Sequence, residues 1–412
     1  MSTTVIEPGN EVAGVAPEVK ERLSAYMRDV ARGLVRSEQR AAAGVYARGL
    51  LEAGARKSLE PIVARLGEGG DYEALQHFLA DSPWDPVVIQ RAVAERVCPE
   101  IGVRAWVIDD TGVPKDGKHS PGVKRQYSGT LGKIGNCQIV VSVHAVGERG
   151  TVPLDWALYL PEEWCADQAR CHKAKVPADV VFANKPQLAA GLIERACSWN
   201  VTRAPVLGDE AYGRNSDLRT RLYDAGIEYV LSLNSDAGVY DASTFEVPER
   251  RPGARGRAPS AVRSGRPARQ VRDLAASLDP EQFQSIAFRA RDEQQLSSRF
   301  AMVRVVCRHP IVRDHHAPRE EWLIIEWPED QEHPSHYWIS NLPADTTPER
   351  LARLARLRWV IELDYRQLKG ELGLDHYEGR SYLGFHHHCA IVTAAHGFLT
   401  LERLDPNRQR PA

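Results

Sequence analysis

Apolar residues recur at helical spacing through the first quarter of the chain. From about Pro17 to Val97, "EVKERLSAYMRDVARGLV", "SEQRAAAGVYARGLLEAG", "SLEPIVARLG" and "DYEALQHFLADS" place them at three- and four-residue steps, the pattern of helices with one buried face. At Arg104 the texture changes. "RAWVIDDTG" is a short apolar run ending in two acids, and "GNCQIVVSVHAVGERGTVPLDWALYLP" reads as two strands joined by a tight "GERG" turn. "KPQLAAGLIERACSWN" is helical, "APVLGDEAYG" is an apolar run ending on an acid, and "NSDLRTRLYDAG" followed by "IEYVLSLN" is a helix and a strand. "RFAMVRVVCRH", "EEWLIIEWPE" and "HYWISNLP" have β character. A last amphipathic segment carries Leu354, Leu357, Ile361, Tyr365, Leu368 and Leu372 on one stripe. Thr347 suits its N-cap, Pro348 its first turn and Gly373 its stop.

This order predicts an α/β protein, a mixed sheet flanked by helices, with carboxylates at strand ends where open sheets build their sites. The expected division is a disordered N-terminus over 1–15, a helical domain over 16–98, and the first part of the α/β core over 104–234. A β-containing insertion follows over 235–335, and the rest of the core with C-terminal helices over 336–404. The insertion opens with "PERRPGARGRAPSAVRSGRPARQVR", whose eight arginines, Arg255 and Arg257 among them, stand between Pro, Gly, Ala and Ser. Such a loop suits phosphate contact better than plain linkage.

Composition narrows the class. A chain of 412 residues suggests two or three domains. The formal net charge of −2 gives no strong overall field, so contact with a polyanion must come from local basic patches. Seven scattered cysteines argue against a disulfide framework and for a reducing interior. With no signal-peptide pattern and no apolar run long enough to span a bilayer, a cytoplasmic protein is expected. Arg36, Arg40, Arg48, Arg56 and Lys57 stud the N-terminal helices, either as solvated faces or as a nucleic-acid surface.

The chemistry is expected from acids. Asp109 and Asp110 end a predicted strand and point to opposite faces, so one of them joins a given site and periodicity leaves both open. Asp209 ends another strand, and Glu362 lies on the last amphipathic helix beside Arg358, Arg366 and Lys369. At ~100° per residue these four charged residues span an arc of about 80° bordering the buried stripe. Two aspartates and a glutamate form a hard-oxygen set suited to Mg2+ or Mn2+. Two such ions about 3.5–4 Å apart can activate a water or hydroxyl against a phosphodiester, and the flanking bases then hold phosphates. Lys124 and Arg125, around Tyr127, form a candidate DNA-facing loop after the first acid. Cys165, Cys171 and His172 do not match zinc-finger spacing. His386, His387 and His388 point to three sides of a helix, which suits packing or phosphate contact rather than a metal.

"IDDTG", "VLGDEAYG" and "ARLRWVIELDYRQLKGELGL" together resemble the DDE transposases of bacterial insertion sequences, which have an RNase H-like core. The third stretch follows the Y-x-x-R-x-x-x-E-x-x-x-x-x-x-K signature of one branch, with Arg358, Glu362 and Lys369 in register and Ala355 in place of the tyrosine. The resemblance covers about Arg104 to Glu402. It implies Asp110, Asp209 and Glu362 as the metal-binding catalytic acids, Asp110 being favoured by the threonine that follows it. Two Mg2+ ions, replaceable by Mn2+, are implied, with Arg358 and Lys369 on the phosphate beside the scissile bond. So are cut-and-paste transposition at inverted-repeat DNA ends and a homodimer on paired ends. A catalytically silent DNA-binding descendant and a nuclease without strand transfer are the rival expectations.

Overall fold

The structure is a computed structural model that describes residues 17–130, 132–242, 245–246, 253, 263–264, 267–289, 295–308 and 319–405. Arg255, Arg257 and most of the arginine-rich stretch lie outside the described residues.

Five helices come first: α1 (Pro17–Val30), α2 (Ser37–Leu51), α3 (Leu59–Leu66), α4 (Tyr72–Ala80) and α5 (Pro86–Ile101). Side chains set their starts. Asp71 accepts from the Ala74 amide and Asp85 from the Val87 amide, each at 3.0 Å, and Pro86 occupies the first turn of α5, where no amide is needed.

Strands β1 (Val103–Pro114), β2 (Lys124–Ser128), β3 (Lys133–Gly147) and β4 (Thr151–Tyr159) follow. Next come α6 (Glu162–Ala166), α7 (Gln168–Lys173), α8 (Lys185–Cys197), β5 (Val206–Gly208), α9 (Glu210–Gly213), α10 (Ser216–Asp224) and β6 (Tyr229–Leu233). The region expected as an insertion holds β7 (Gly238–Asp241), β8 (Phe245–Glu246), β9 (Arg263–Ser264), β10 (Arg269–Gln270), α11 (Val271–Ala276), β11 (Gln284–Arg289), β12 (Gln295–Cys307) and β13 (Glu321–Trp327). The chain closes with β14 (His336–Ser340), α12 (Pro348–Leu357), α13 (Val360–Gly370) and α14 (Tyr382–Leu404).

One sheet runs β10-β7-β12-β13-β14-β6-β5-β1-β3-β2, with β11 beside β12 and β4 on β3. At its centre β4, β3 and β1 are antiparallel while β1, β5 and β6 are parallel. This mixed arrangement flanked by helices is the RNase H-like fold. β8 and β9 pair with each other as a separate two-stranded ribbon, and the other inserted strands do not form a layer of their own. β13 pairs with β14, which pairs with β6, so they extend the central sheet.

Helix α14 runs through the interior. Almost every residue from Gly384 to Phe398 is buried, as suits a helix apolar on all sides. Tyr26 of α1 meets Phe398, and Trp156 of β4 donates its indole N–H to Thr393 at 2.8 Å. The three histidines pack here. The His387 ring stacks on Trp84 at 3.9 Å between ring centres, His388 bonds the Tyr46 hydroxyl at 2.9 Å, and His386 accepts from the Leu158 amide. All seven cysteines are free thiols. Among the described residues no helix is long and apolar enough to cross a membrane.

The last amphipathic segment is two helices rather than one. Thr347 caps α12 as expected, but i→i−4 bonding lapses at Arg358 and Trp359, where the Ile361 and Glu362 amides reach back three residues instead. Gly373, at φ +67°, turns the chain out of α13 in a conformation that disfavours any other residue.

Candidate carboxylate site

The two adjacent aspartates lie within β1, not at its end, because pairing with β3 continues as far as Pro114. The parallel pairing with β5 stops at Val107. Both acids therefore stand where β1 loses one neighbour, between an antiparallel strand and a parallel one, the switch point at which open α/β sheets form crevices.

Their side chains part to opposite faces. Asp109 is opposite Ser142 of β3, and the Ser142 hydroxyl bonds Tyr365 of α13 at 2.7 Å. The Asp109 face is thus the α13 face, and Arg358 Nη1 donates to Asp109 Oδ2 at 3.0 Å. Asp110 faces α8, where Lys185 Nζ donates to its Oδ2 at 2.8 Å. Arg358 also lies 3.9 Å from Glu362, so one guanidinium stands between Asp109 and the helical acid. Asp209 follows β5 and caps α9, its Oδ1 accepting from the Ala211 amide at 2.8 Å and the Tyr212 amide at 3.4 Å.

Electrostatics tie the aspartates together. Burial pushes the Asp109 carboxyl up to about 7, with Arg358 opposing the rise and the charge on Asp209 adding to it. Burial also raises Asp110, against Lys185 and helped again by Asp209. Desolvated, mutually repelling carboxylates of this kind suit a hard divalent cation, which would relieve both costs. The set is incomplete in this conformation. Glu362 has an exposed side chain beyond Arg358, and among the described residues no three His, Cys, Asp or Glu side chains are gathered as for a metal.

The basic residues divide. Lys369 Nζ donates to the Gly112 carbonyl at 2.8 Å and to Thr130 Oγ1 at 2.9 Å, and burial lowers its ammonium to about 8. It fastens α13 to the tip of the β2–β3 hairpin. Arg366 is exposed on α13. Lys124 pairs with Glu163 at 2.8 Å, whereas Arg125 and Tyr127 face outward on β2. What was expected to be a loop around Tyr127 is thus an edge strand. Ala355, in the place of the branch's tyrosine, is buried in α12.

Sequence reasoning missed the inner face of α13. Asp364 accepts from His144 at 2.8 Å and from Thr151, and His396 lies 3.9 Å away. Burial opposes the Asp364 charge, but the hydrogen bond from His144, the charges on His144 and His396, and the Thr151 hydroxyl outweigh it and hold the carboxyl below its usual range. Asp364 sits on the apolar stripe of α13, and a lone acid at a stripe position was the available signal. Lys185 was missed as well. It is 75 residues from Asp110, and no local pattern joins them.

The sequence profile of the family described as "DDE superfamily endonuclease" matches residues 29–295. The match takes in Asp109, Asp110 and Asp209 and stops short of Glu362. A protein of Microchaete diplosiphon named "Probable transposase for insertion sequence element IS701" is 30% identical over 184 residues, which is 44% of this chain and 45% of that protein. The chain thus spans less than half the length of this relative. With the family profile running over more than half of it, the chain belongs to the DDE superfamily endonucleases.

Proposed function

We propose that this protein is a DNA transposase that cuts at the inverted-repeat ends of its own element and joins the freed ends to target DNA. One observation carries the reading. Partly buried, mutually repelling aspartates sit where β1 leaves β5, and Asp109 among them faces a helix that presents an acid among bases. The name of the Microchaete relative supports it.

In this reading Asp109 and Asp209 would hold the cation, with Glu362 as the third donor. The resemblance implies Asp110, which is on the opposite face with Lys185; because Asp109 shares its face with α13, this reading gives the position to Asp109. The chemistry supplied by bound Mg2+ or Mn2+ is activation of a water or 3′-hydroxyl and neutralisation of charge at the phosphodiester. The chain's own residues do the rest. Arg358, now between two acids, is placed to bind a phosphate oxygen once DNA enters. Arg366 extends the cationic face of α13 along the backbone, and Lys369 keeps helix and hairpin in register beneath it. Lys124, Arg125 and the arginines at 255 and 257 complete the DNA-contacting set. Assembly as a homodimer on paired ends and residence in the cytoplasm belong to the same reading.

The test uses a plasmid carrying the element with both ends, Mg2+ and a target plasmid. Wild-type protein should nick at the ends and yield joined products. Glu362→Gln and Asp109→Asn should each lower cleavage by roughly 10²–10³-fold or more while DNA binding persists, and Asp110→Asn should cost less. Normal cleavage by Glu362→Gln would remove the third acid from the site. Cuts without joined products would favour a nuclease, and binding without cuts a silent descendant.

A further inference from the structure

Edge strands are usually blunted by charge or covered, because exposed apolar pairs on them invite aggregation. Strand β2 is short and carries Lys124 and Arg125, yet its hairpin also exposes an apolar pair. Tyr127 is 65% exposed and Ile134 is 59% exposed, and the two are register partners across the β2–β3 hairpin, so their side chains lie side by side on one face. Arg125 precedes Tyr127 on the same face, two residues earlier, whereas Lys133, the register partner of Ser128, is on the opposite face. Arg125 is exposed and has no ion-pair partner among the described residues. The inner face is packed. Ser128 and Cys137 are buried, and Gln126 donates to the Cys137 carbonyl at 3.2 Å.

Hydrogen bonds tie the platform to β1 and α13 beside the carboxylate site. Thr130, at the hairpin tip, accepts from Lys369 at 2.9 Å and from the Gly112 amide at 3.3 Å, and lies 3.4 Å from the Thr111 hydroxyl. An exposed aromatic face with an aliphatic neighbour and an adjacent guanidinium matches the chemistry of an unpaired nucleotide: a flat apolar base beside a phosphate. Duplex DNA keeps its base faces stacked inside the helix and offers such a surface no equivalent partner.

We propose that the outer face of the β2–β3 hairpin is a stacking platform for one unpaired base of the bound DNA, with Tyr127 against the base, Ile134 supporting it, and Arg125 on a flanking phosphate. This rests on the DNA-binding reading above and adds a strand-opening role to it.

The probe is a duplex with a short single-stranded 3′ tail that carries 2-aminopurine, compared with the fully paired duplex. Wild type should bind the tailed form more tightly and quench the tail fluorescence. Tyr127→Phe should keep both effects. Tyr127→Ala should abolish the quench and weaken tailed binding about 5- to 100-fold, the loss of one base–aromatic stack, with paired-duplex binding unchanged. Tailed binding and quench that survive Tyr127→Ala would overturn the platform and leave DNA binding intact. Failure of the wild type to bind either duplex would overturn both. If Tyr127→Ala instead dissolves a DNA-free dimer in sedimentation, the face joins two copies and the platform falls.

Discussion

Arg358 holds Asp109 at 3.0 Å and stands 3.9 Å from Glu362, so a single cation balances acids contributed by a strand and a helix. Asp109 bears the cost of this placement, its carboxyl raised to about 7 chiefly by burial. A carboxyl that is raised in the folded state from an unfolded value near ~3.9 favours folding when protonated. Its contribution is complete below about pH 4 and is lost as pH climbs through about 7. Asp109→Asn, with no charge to bury, should therefore melt about 2–4 °C above wild type at pH 8 and together with it at pH 4. Thermal denaturation across that range checks this, and identical curves at pH 8 would contradict it. Each acid was visible along the chain as a polar break in an apolar run. Which of Asp109 and Asp110 faces α13 was not, because alternation separates the two faces without saying what covers either.

At the scale of elements, the link that matters joins α13 to the β2–β3 hairpin through Lys369. Its two hydrogen bonds replace the freedom of a long side chain with a fixed spacing between the helical acid and the hairpin tip. Lys369→Met should leave α13 in place, because Leu368 and Tyr365 remain buried, yet free the tip. Amide exchange over 124–137 should then quicken by roughly tenfold, the worth of about one such bond, and unchanged exchange would show that Lys369 does not hold the hairpin. The helices and most strands could be read from periodicity and caps, since these are local. β2 could not: "KRQYS" alternates over five residues only, and its pairing with β3 supplies the rest. The lapse between α12 and α13 was hidden as well, because the apolar stripe continues across it and only hydrogen bonding changes.

For the molecule as a whole, α14 makes one core out of the N-terminal helices and the sheet. Buried residues from α1 to α14 form one continuous apolar cluster, so damage at this helix should be felt globally. Gly397 is the sharpest probe. A Cβ there would come within 2.7 Å of the Tyr26 hydroxyl and 2.8 Å of a Val93 methyl. Gly397→Val should cost about 1–3 kcal/mol through overpacking and lower the melting temperature in a single transition. A first, separate transition of the N-terminal helices would show that the core is divided.

The sequence by itself determined most of the helices and strands, their mixed α/β order and the acidic residues that suggest metal chemistry, because each depends on period, capping and residue type over a few neighbouring positions. The RNase H-like core came from the resemblance of its motifs. Only the tertiary structure decided that Asp109 rather than Asp110 shares a face with α13, that Lys369 is fastened to the hairpin, that most of the inserted strands prolong the central sheet, and that Tyr127 stands on an exposed edge. Those facts join residues tens to hundreds of positions apart. They follow from which faces the folded chain brings together, and no local pattern encodes that choice.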